Sequence, residues 1–296
     1  MDKTEGFVSV DGGRVWYRSL GTGGIPLLLL HGGPGAGHDY LEPLEALAAD
    51  RQVVFYDQLG CGRSERPEDP ALWRIDRFVA EIGQVRDALG LPHVHLLGHS
   101  WGGWLAIEYM LGQPSGVVSL VLASTSASMR QFVQEAARLK AQLPRETFEV
   151  LQRYEAVADF GNPEYQAAVM QFYERHLCRS SPWPDCLMRS VANLDGNPVY
   201  LTMNGPNEFT VVGTLREWDR CDRLQDIRVP ALITVGRHDE VPLPCAETIH
   251  RGIPGSKLVV FDQSSHMAML EQTDAFVQGV AAFLSQVELT ITRVNV

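Results

Sequence analysis

A serine at position 100 lies between two glycines in the segment Gly98-His99-Ser100-Trp101-Gly102. A short apolar run at 94–97 precedes this segment, and residues 104–110 after it have the apolar spacing of a helix. Such a G-x-S-x-G segment is typical of a sharp turn from a strand into a helix, because its glycines let the two elements pass closely while the serine oxygen stays exposed. The sequence therefore favours a fold in which a buried strand leads into a helix through Ser100.

Apolar runs and helical patterns alternate along most of the chain. A hairpin is predicted over 7–18, and further strands are predicted at 27–30, 52–56, 94–97, 119–123, 231–235 and 258–261. Helical spacing covers 75–89 and 275–284. This alternation indicates an α/β protein with a mostly parallel, doubly wound sheet and helices on both faces.

The stretch from 126 to 225 differs because it shows helical patterns without strand-like runs. Helices are predicted at 132–143, 147–158 and 165–176, followed by an irregular aromatic segment around Ser181-Pro182-Trp183-Pro184. We therefore predict a core formed by 1–125 and 226–296, with 126–225 inserted as a helical cap above Ser100 at the carboxyl ends of the strands. Strand-like alternation marks the tail 288–296, whose place in the fold the sequence does not predict.

Charge and cysteine usage narrow the class of protein. The 296 residues carry a formal net charge of −11, which argues against nucleic acid or an anionic membrane as a partner, since both attract clustered positive charge. The first six residues contain no apolar signal region, and the longest apolar run is too short to cross a bilayer. Five irregularly spaced cysteines without a C-x-x-C pair indicate reduced thiols and no zinc site. We expect a cytoplasmic protein, and the oligomeric state is not readable from the sequence.

A catalytic serine needs a base, and the base needs a carboxylate that orients it. In proteins with this kind of turn the chain order is serine, acid and then histidine. Asp239 follows the predicted strand at 231–235, and His266 follows the strand that ends at Phe261. Because the carboxyl ends of parallel strands meet at one edge, we predict Ser100 as nucleophile, His266 as general base and then acid, and Asp239 as the orienting acid.

Other residues compete for these roles. The alternative bases are His99, His238 and His250, and the alternative acids are Asp262 and Glu240. Neighbouring side chains at such a turn point apart, which disfavours His99. The remaining interpretation is that a turn serine and two loop residues never meet.

Glycine-rich segments follow two other predicted strands. In His31-Gly32-Gly33-Pro34-Gly35 we expect Gly33 to donate its backbone N–H to a developing oxyanion, together with the N–H of Trp101. A tight turn alone also explains these glycines, and His31 is interpreted as a structural hydrogen-bonding residue. The segment 57–64, DQLGCGRS, lacks the spacing of a phosphate loop and is interpreted as a structural turn.

These motifs together, HGGPG at 31–35, DQLGCGRS at 57–64, GHSWGG at 98–103, GRHDE at 236–240 and SSH at 264–266, resemble the proline iminopeptidase family, prolyl aminopeptidases of the α/β-hydrolase fold. The segment 203–209, MNGPNEF, narrows the resemblance towards the tricorn-interacting aminopeptidase branch. In this family two glutamates bind the free α-amino group of the substrate, and the motifs place them at Glu208 and Glu240. A solvated Glu208 and a salt-bridged Glu240 are the structural alternatives.

The resemblance implies a serine hydrolase that releases an N-terminal proline or small apolar residue from short peptides, without metal or organic cofactor. Hydrolysis of amino-acid amides or esters, or acyl transfer to an amine, would use the same residues. A hydrolase-fold protein that only binds its ligand is a further alternative of a different class.

Overall fold

A computed structural model describes residues 2–294, and its centre is one eight-stranded sheet. The strands are β1 (Lys3–Val10), β2 (Gly13–Leu20), β3 (Leu27–Leu30), β4 (Val53–Tyr56), β5 (Val94–His99), β6 (Val117–Ala123), β7 (Ala231–Gly236) and β8 (Lys257–Phe261). Their spatial order is β1-β2-β4-β3-β5-β6-β7-β8. Only the pairs β1–β2 and β2–β4 are antiparallel, so the predicted mostly parallel sheet is confirmed.

The central strands are largely apolar because both of their faces are buried. Leu28 and Leu30 of β3 pack into the hydrophobic cluster on one side of the sheet, whereas Leu27 and Leu29 pack into the cluster on the other side. Successive side chains of a strand point to opposite faces, and both faces here are covered by helices. This packing explains why the central strands have continuous apolar runs rather than polar alternation.

The helices of the core are α1 (Ile75–Ala88), α2 (Trp101–Leu111), α8 (Leu243–Gly252), α9 (Ala268–Glu271) and α10 (Thr273–Val294). Between β6 and β7 lie α3 (Met129–Lys140), α4 (Arg145–Glu155), α5 (Pro163–His176), α6 (Asp185–Ala192) and α7 (Pro198–Met203). The described residues also form three 3-10 segments, which are Asp39–Ala49, Pro70–Leu72 and Cys221–Asp226. We refer to residues 124–230 as the helical insert. The sequence does not predict its helices α6 and α7, because segments of 8 and 6 residues are too short to show a clear helical period.

The tail corrects the sequence interpretation. The strand-like alternation of Leu289 and Ile291 does not correspond to a strand. These residues lie in α10, which continues to Val294. Val280, Leu284 and Val287 keep helical spacing and pack into one cluster, while Leu289 is exposed. Asn295 and Val296 lie outside the described residues.

One segment, Thr273–Arg293, is long and apolar enough to cross a membrane by length and composition alone. Its buried side chains pack against Phe261 and the segment Asp39–Ala49, which gives the helix a reason to be apolar within the core. The expectation of no membrane partner stays a prediction.

Candidate active site

Ser100 lies between β5 and α2 with φ 55° and ψ −123°, a conformation that non-glycine residues rarely adopt. The turn places it at the carboxyl edge of the sheet. Its backbone is held on both sides, because its N–H donates to the carbonyl of Ala123 and its carbonyl accepts from the hydroxyl of Thr125 at 2.8 Å. The strained turn predicted from G-x-S-x-G is therefore present.

The two flanking glycines allow this turn because there is no room for a side chain at either position. A Cβ on residue 98 would lie 2.2 Å from the carbonyl oxygen of Gly102. A Cβ on residue 102 would lie 2.0 Å from the carbonyl oxygen of Leu30 in β3. Substitution at either glycine would thus push α2 away from the sheet.

His266 and Asp239 meet at the same edge. Nδ1 of His266 lies 2.7 Å from Oδ1 of Asp239, which also accepts a 2.8 Å hydrogen bond from the backbone N–H of Val241. Both side chains are buried. His266 and Ser100 line one cavity, although within residues 2–294 His266 forms no hydrogen bond to Oγ of Ser100. Such bonds are often long in unliganded sites and shorten in the complex.

The competing acids and bases lie elsewhere or have other partners. Of the two competing acids, Asp262 binds Arg237 at the surface, at 2.7 Å, and Glu240 faces Nε2 of His266 rather than Nδ1. His250 bonds to Ser256, and the carbonyl of His238 accepts from Nδ1 of His176. The ring of His99 is next to His266, yet both of its nitrogens are engaged, one with Tyr40 and the other with the carbonyl of His266. The geometry therefore favours Asp239 and His266, whose catalytic roles stay predictions.

The cavity beside Ser100 has an empty volume of about 400 Å³. Ser100, His266, Glu208 and Glu240 contribute its reactive and charged groups. The rest of the wall is formed mainly by apolar side chains, which are Ala36, Leu177, Leu187, Val191, Leu194 and Met267. Most of these residues belong to the helical insert, so the insert lines the same cavity as Ser100. Its role as a cap over the serine stays a prediction.

Glu208 and Glu240 are brought together in this cavity, one from the insert and one from the turn after β7. Oε1 of Glu208 accepts a 2.8 Å hydrogen bond from the hydroxyl of Tyr200, and its backbone N–H donates to the hydroxyl oxygen of Tyr173. Oε2 of Glu240 is buried and has no hydrogen-bond partner within residues 2–294. Burial raises the pKa of both carboxyl groups, and their mutual repulsion raises that of Glu240 further.

The pKa of His266 responds to the same charges. Burial disfavours the imidazolium, but Asp239, Glu240 and Glu208 together outweigh it and raise the pKa of His266 to about 9. Nε2 of His266 lies 3.7 Å from Oε1 of Glu240. The unliganded site therefore favours a protonated His266.

The predicted oxyanion donors come from two segments, Gly33 from the loop after β3 and Trp101 from the first position of α2, directly after Ser100. Gly33 lines the cavity with φ 114°, a conformation that suits glycine. The N–H of Gly32 is taken by the hydroxyl oxygen of Tyr40 at 2.7 Å, whereas within the described residues the N–H of Gly33 has no partner. The N–H of Trp101 is likewise unpaired at the first turn of α2. Both remain candidates for the oxyanion.

The other glycine-rich segment supports this loop. The backbone N–H of Gln58 donates to Nε2 of His31, and the amide of Gln58 donates to the carbonyl of His31. Burial lowers the pKa of His31 to about 4, which keeps this ring neutral and able to accept. Asp57 accepts from Nδ1 of His38 and from the backbone N–H of Arg63. His31 and Asp57 therefore both have hydrogen-bond partners that hold the two loops in place.

Sequence reasoning missed four residues at the site, Tyr40, Tyr173, His176 and Tyr200. The backbone carbonyl of His176, at the end of α5, accepts from the N–H groups of both Glu240 and His266. The insert thereby fixes the two loops that carry these side chains. No motif marks these residues, and only their place in the fold shows their contacts.

One group of side chains within residues 2–294, His38, Asp39 and Glu42, has the mutual distances of a metal site. Arg189 already binds Asp39 at 2.9 Å and Glu42 at 2.6 Å, so a guanidinium supplies positive charge there. His38 is paired with Asp57 through Nδ1.

Comparison with known proteins gives consistent matches. A family model for the alpha/beta hydrolase fold matches residues 25–273. The chain is 42% identical to a proline iminopeptidase of Saccharolobus solfataricus over 287 residues, which cover 96% of this chain and 93% of that relative. It is 40% identical to a proline iminopeptidase of Heyndrickxia coagulans, over 96% of this chain and 99% of that relative.

The three-dimensional similarity extends over the same length. The crystal structure of a proline iminopeptidase of Mycobacterium smegmatis superposes with a TM-score of 0.91 at 40% identity. The superposition covers 97% of this chain and 100% of that one. The similarity therefore includes the helical insert as well as the sheet.

Proposed function

Because the chain belongs to the proline iminopeptidase family of α/β hydrolases, we propose that it is a serine peptidase that releases N-terminal proline from short peptides. The observation that supports this best is the pair of carboxylates in the cavity of Ser100, Glu240 fully buried and Glu208 partly buried. A buried carboxylate is costly without a cationic partner, and the ammonium group of a free N-terminus supplies one.

The chemistry follows from the positions of the side chains. Oγ of Ser100 attacks the carbonyl carbon of the first residue while Nε2 of His266 takes the hydroxyl proton. The N–H groups of Gly33 and Trp101 stabilise the oxyanion, and Asp239 orients the imidazole ring. His266 then protonates the leaving amine. Water attacks the acyl-enzyme by the same route and releases the free amino acid.

The apolar wall sets the acyl side chain that fits. Leu177, Leu187, Val191 and Leu194 offer no hydrogen-bonding side chains to a polar substituent. A pyrrolidine ring or a small apolar side chain is therefore the matching group. The two carboxylates fix the amine next to this wall. The peptide bond that follows the first residue is then the one that reaches Ser100.

The division into a core of 1–125 and 226–296 and a cap of 126–225 is part of this proposal. A cap above Ser100 excludes long folded chains, which limits substrates to short peptides. The site as proposed needs no metal or cofactor. Five cysteines, none of them in a disulfide, accord with the proposed cytoplasmic location.

The test compares L-prolyl-p-nitroanilide with its N-acetyl derivative and with a neutral p-nitrophenyl ester. We expect fast cleavage of the free-amine substrate only. Ser100→Ala should lower kcat by a factor of about 10⁶ if the three residues act as a unit. Ser115→Ala, at an exposed serine, is the matched control and should retain full activity.

The outcomes separate the alternatives. Equal cleavage of the acetylated substrate would reject amine recognition and leave a general acyl hydrolase. Preference for prolinamide or a prolyl ester over peptides, or product formation only with an added amine, would favour the amidase, esterase or acyltransferase alternative. No turnover of any substrate would favour a ligand-binding protein.

A further inference from the structure

Glu240 faces two partners in the mechanism, and only one of them is the substrate. Its Oε1 lies 3.7 Å from Nε2 of His266, the nitrogen that must accept the proton of Ser100. Nδ1 of the same ring is occupied by Asp239 at 2.7 Å. Without a ligand, the free nitrogen of the base therefore faces a carboxylate rather than a hydroxyl group.

We propose that Glu240 holds a proton on Nε2 of His266 until the ammonium group of a substrate pairs with this carboxylate, and that only then does Nε2 accept the proton of Ser100. This inference rests on the proposed function, since it assumes that Glu240 binds the substrate amine. It gives Glu240 a second role, in which the correct substrate creates the active form of the base.

Among the titratable groups next to His266, the carboxylates are the ones that set the protonation state of its ring. The titratable groups that face or adjoin the ring are Asp239, Glu240, Glu208, His99 and His176. Burial lowers the pKa of His99 and of His176, so both rings are neutral near pH 7 and add no charge. Asp239 is needed in every step, which leaves Glu240 and Glu208 as the charges that a ligand can neutralise.

The consequence is a second barrier against blocked substrates. An N-acylated peptide loses the ion pairs with Glu208 and Glu240, and it also leaves the Nε2 proton in place. A substrate with a free ammonium group compensates the carboxylates, and the proton on Nε2 then passes to solvent. Specificity thus acts on the formation of the nucleophile as well as on affinity.

The experiment uses paraoxon, a neutral reagent that does not need the amine site. Oγ of Ser100 forms a bond to phosphorus, p-nitrophenolate leaves, and the hydroxyl proton goes to Nε2 of His266. We expect the inactivation rate of the wild-type enzyme to rise with pH and to reach half its maximum at about pH 9, the pKa of His266. In Glu240→Gln the midpoint should move down by at least about one pH unit, so that inactivation near pH 7 is roughly tenfold faster.

Two further variants are the controls. Glu208→Gln removes a carboxylate of the same cavity that is not in contact with Nε2, and we expect a much smaller change in the inactivation rate. Glu146→Gln makes the same change of charge at an exposed site on α4 and should match the wild type. A wild-type midpoint near 6.5, the ordinary value for histidine, would overturn the inference without any variant.

The inference and the proposed function fail in different ways. If Glu240→Gln raises KM for the prolyl anilide but leaves the inactivation profile unchanged, Glu240 binds the amine and does not control His266. If neither glutamine variant changes KM for the prolyl anilide, the proposed amine recognition itself is wrong. Unfolding of Glu240→Gln, checked by circular dichroism, leaves the wild-type profile as the deciding measurement.

Discussion

The hydroxyl group of Tyr40 donates a 2.8 Å hydrogen bond to Nδ1 of His99, and the partners of both residues allow only this direction. The carbonyl of His266 accepts from Nε2 of His99, so that nitrogen carries the hydrogen and Nδ1 must accept. The oxygen of Tyr40 in turn accepts from the N–H of Gly32. This chain of hydrogen bonds connects the loop of Gly33 to the backbone of His266.

Tyr40→Phe tests this connection. The change leaves the N–H of Gly32 and Nδ1 of His99 without partners in a buried region, at a cost of about 1–3 kcal/mol for each group. We expect a lower melting temperature, and a fall in kcat with little change in KM because the loop that carries the proposed oxyanion donor Gly33 loses its support. Steady-state kinetics and thermal unfolding measure both effects. An unchanged melting temperature would contradict the network.

Gly102→Ala tests the close packing of α2 against β3. Its Cβ would lie 2.0 Å from a backbone carbonyl oxygen, which cannot move as a flexible side chain can. Overpacking of this kind costs about 1–3 kcal/mol or more, so we expect a lower denaturation midpoint and lost activity. The control is Gly279→Ala on α10, where the Cβ meets no atom within 4 Å. There alanine should stabilise the helix by about 1 kcal/mol.

Stability should fall as pH rises from about 6.5 to about 9. The pKa of His266 in the folded protein is about 9, above the ordinary value of about 6.5, so the folded state binds this proton more tightly. The stabilisation is complete below the lower value and is lost through the upper one. Burial raises the pKa of Glu240, which acts with the same sign.

Glu240→Gln should therefore flatten this part of the pH profile. It removes the titration of Glu240 and brings the pKa of His266 closer to its ordinary value. Melting temperatures of the variant and of the wild type, recorded across this range at constant ionic strength, give the comparison. Parallel profiles would show that Glu240 does not raise the pKa of His266.

The strands, and the positions of three candidate catalytic residues beside one another, could be predicted because each depends on a short stretch of sequence. Ser100, Asp239 and His266 each follow a buried strand, and parallel strands bring their carboxyl ends to one edge. The family resemblance is confirmed, and it alone pointed to Glu208, since no local pattern marks that residue. The place of Glu208 depends on the hydroxyl of Tyr200, which donates to its carboxylate, and on the hydroxyl oxygen of Tyr173, which accepts from its backbone N–H. No periodicity shows these contacts.

The tail shows a different limit. Its alternation over a few residues fits both a strand and the exposed end of a helix, and only the packing of Val280, Leu284 and Val287 settles the matter. A chain already in a helix continues it unless a breaking residue intervenes, because each added residue costs less than a new nucleus. A pattern read over only a few residues at the end of a long helix can therefore be mistaken for a strand.

Tyr200→Phe separates amine binding from catalysis. The hydroxyl of Tyr200 donates to Oε1 of Glu208 at 2.8 Å and so favours the ionised carboxylate. Removing it raises the pKa of Glu208 further, and the carboxylate then offers less charge to an ammonium group. We expect KM for the prolyl anilide to rise roughly tenfold, the equivalent of about 1.4 kcal/mol, with kcat little changed.

The matched control is Tyr154→Phe, which removes an exposed tyrosine–glutamate bond, 2.6 Å to Glu164, from a residue that does not line the cavity of Ser100. Its kinetics should equal those of the wild type. The rate of paraoxon inactivation should also change little in Tyr200→Phe, because Glu240 and not Glu208 faces Nε2 of His266. A fall in kcat at constant KM would instead mean that Tyr200 supports the reacting groups, and Glu208 would then lose its assignment as a binding carboxylate.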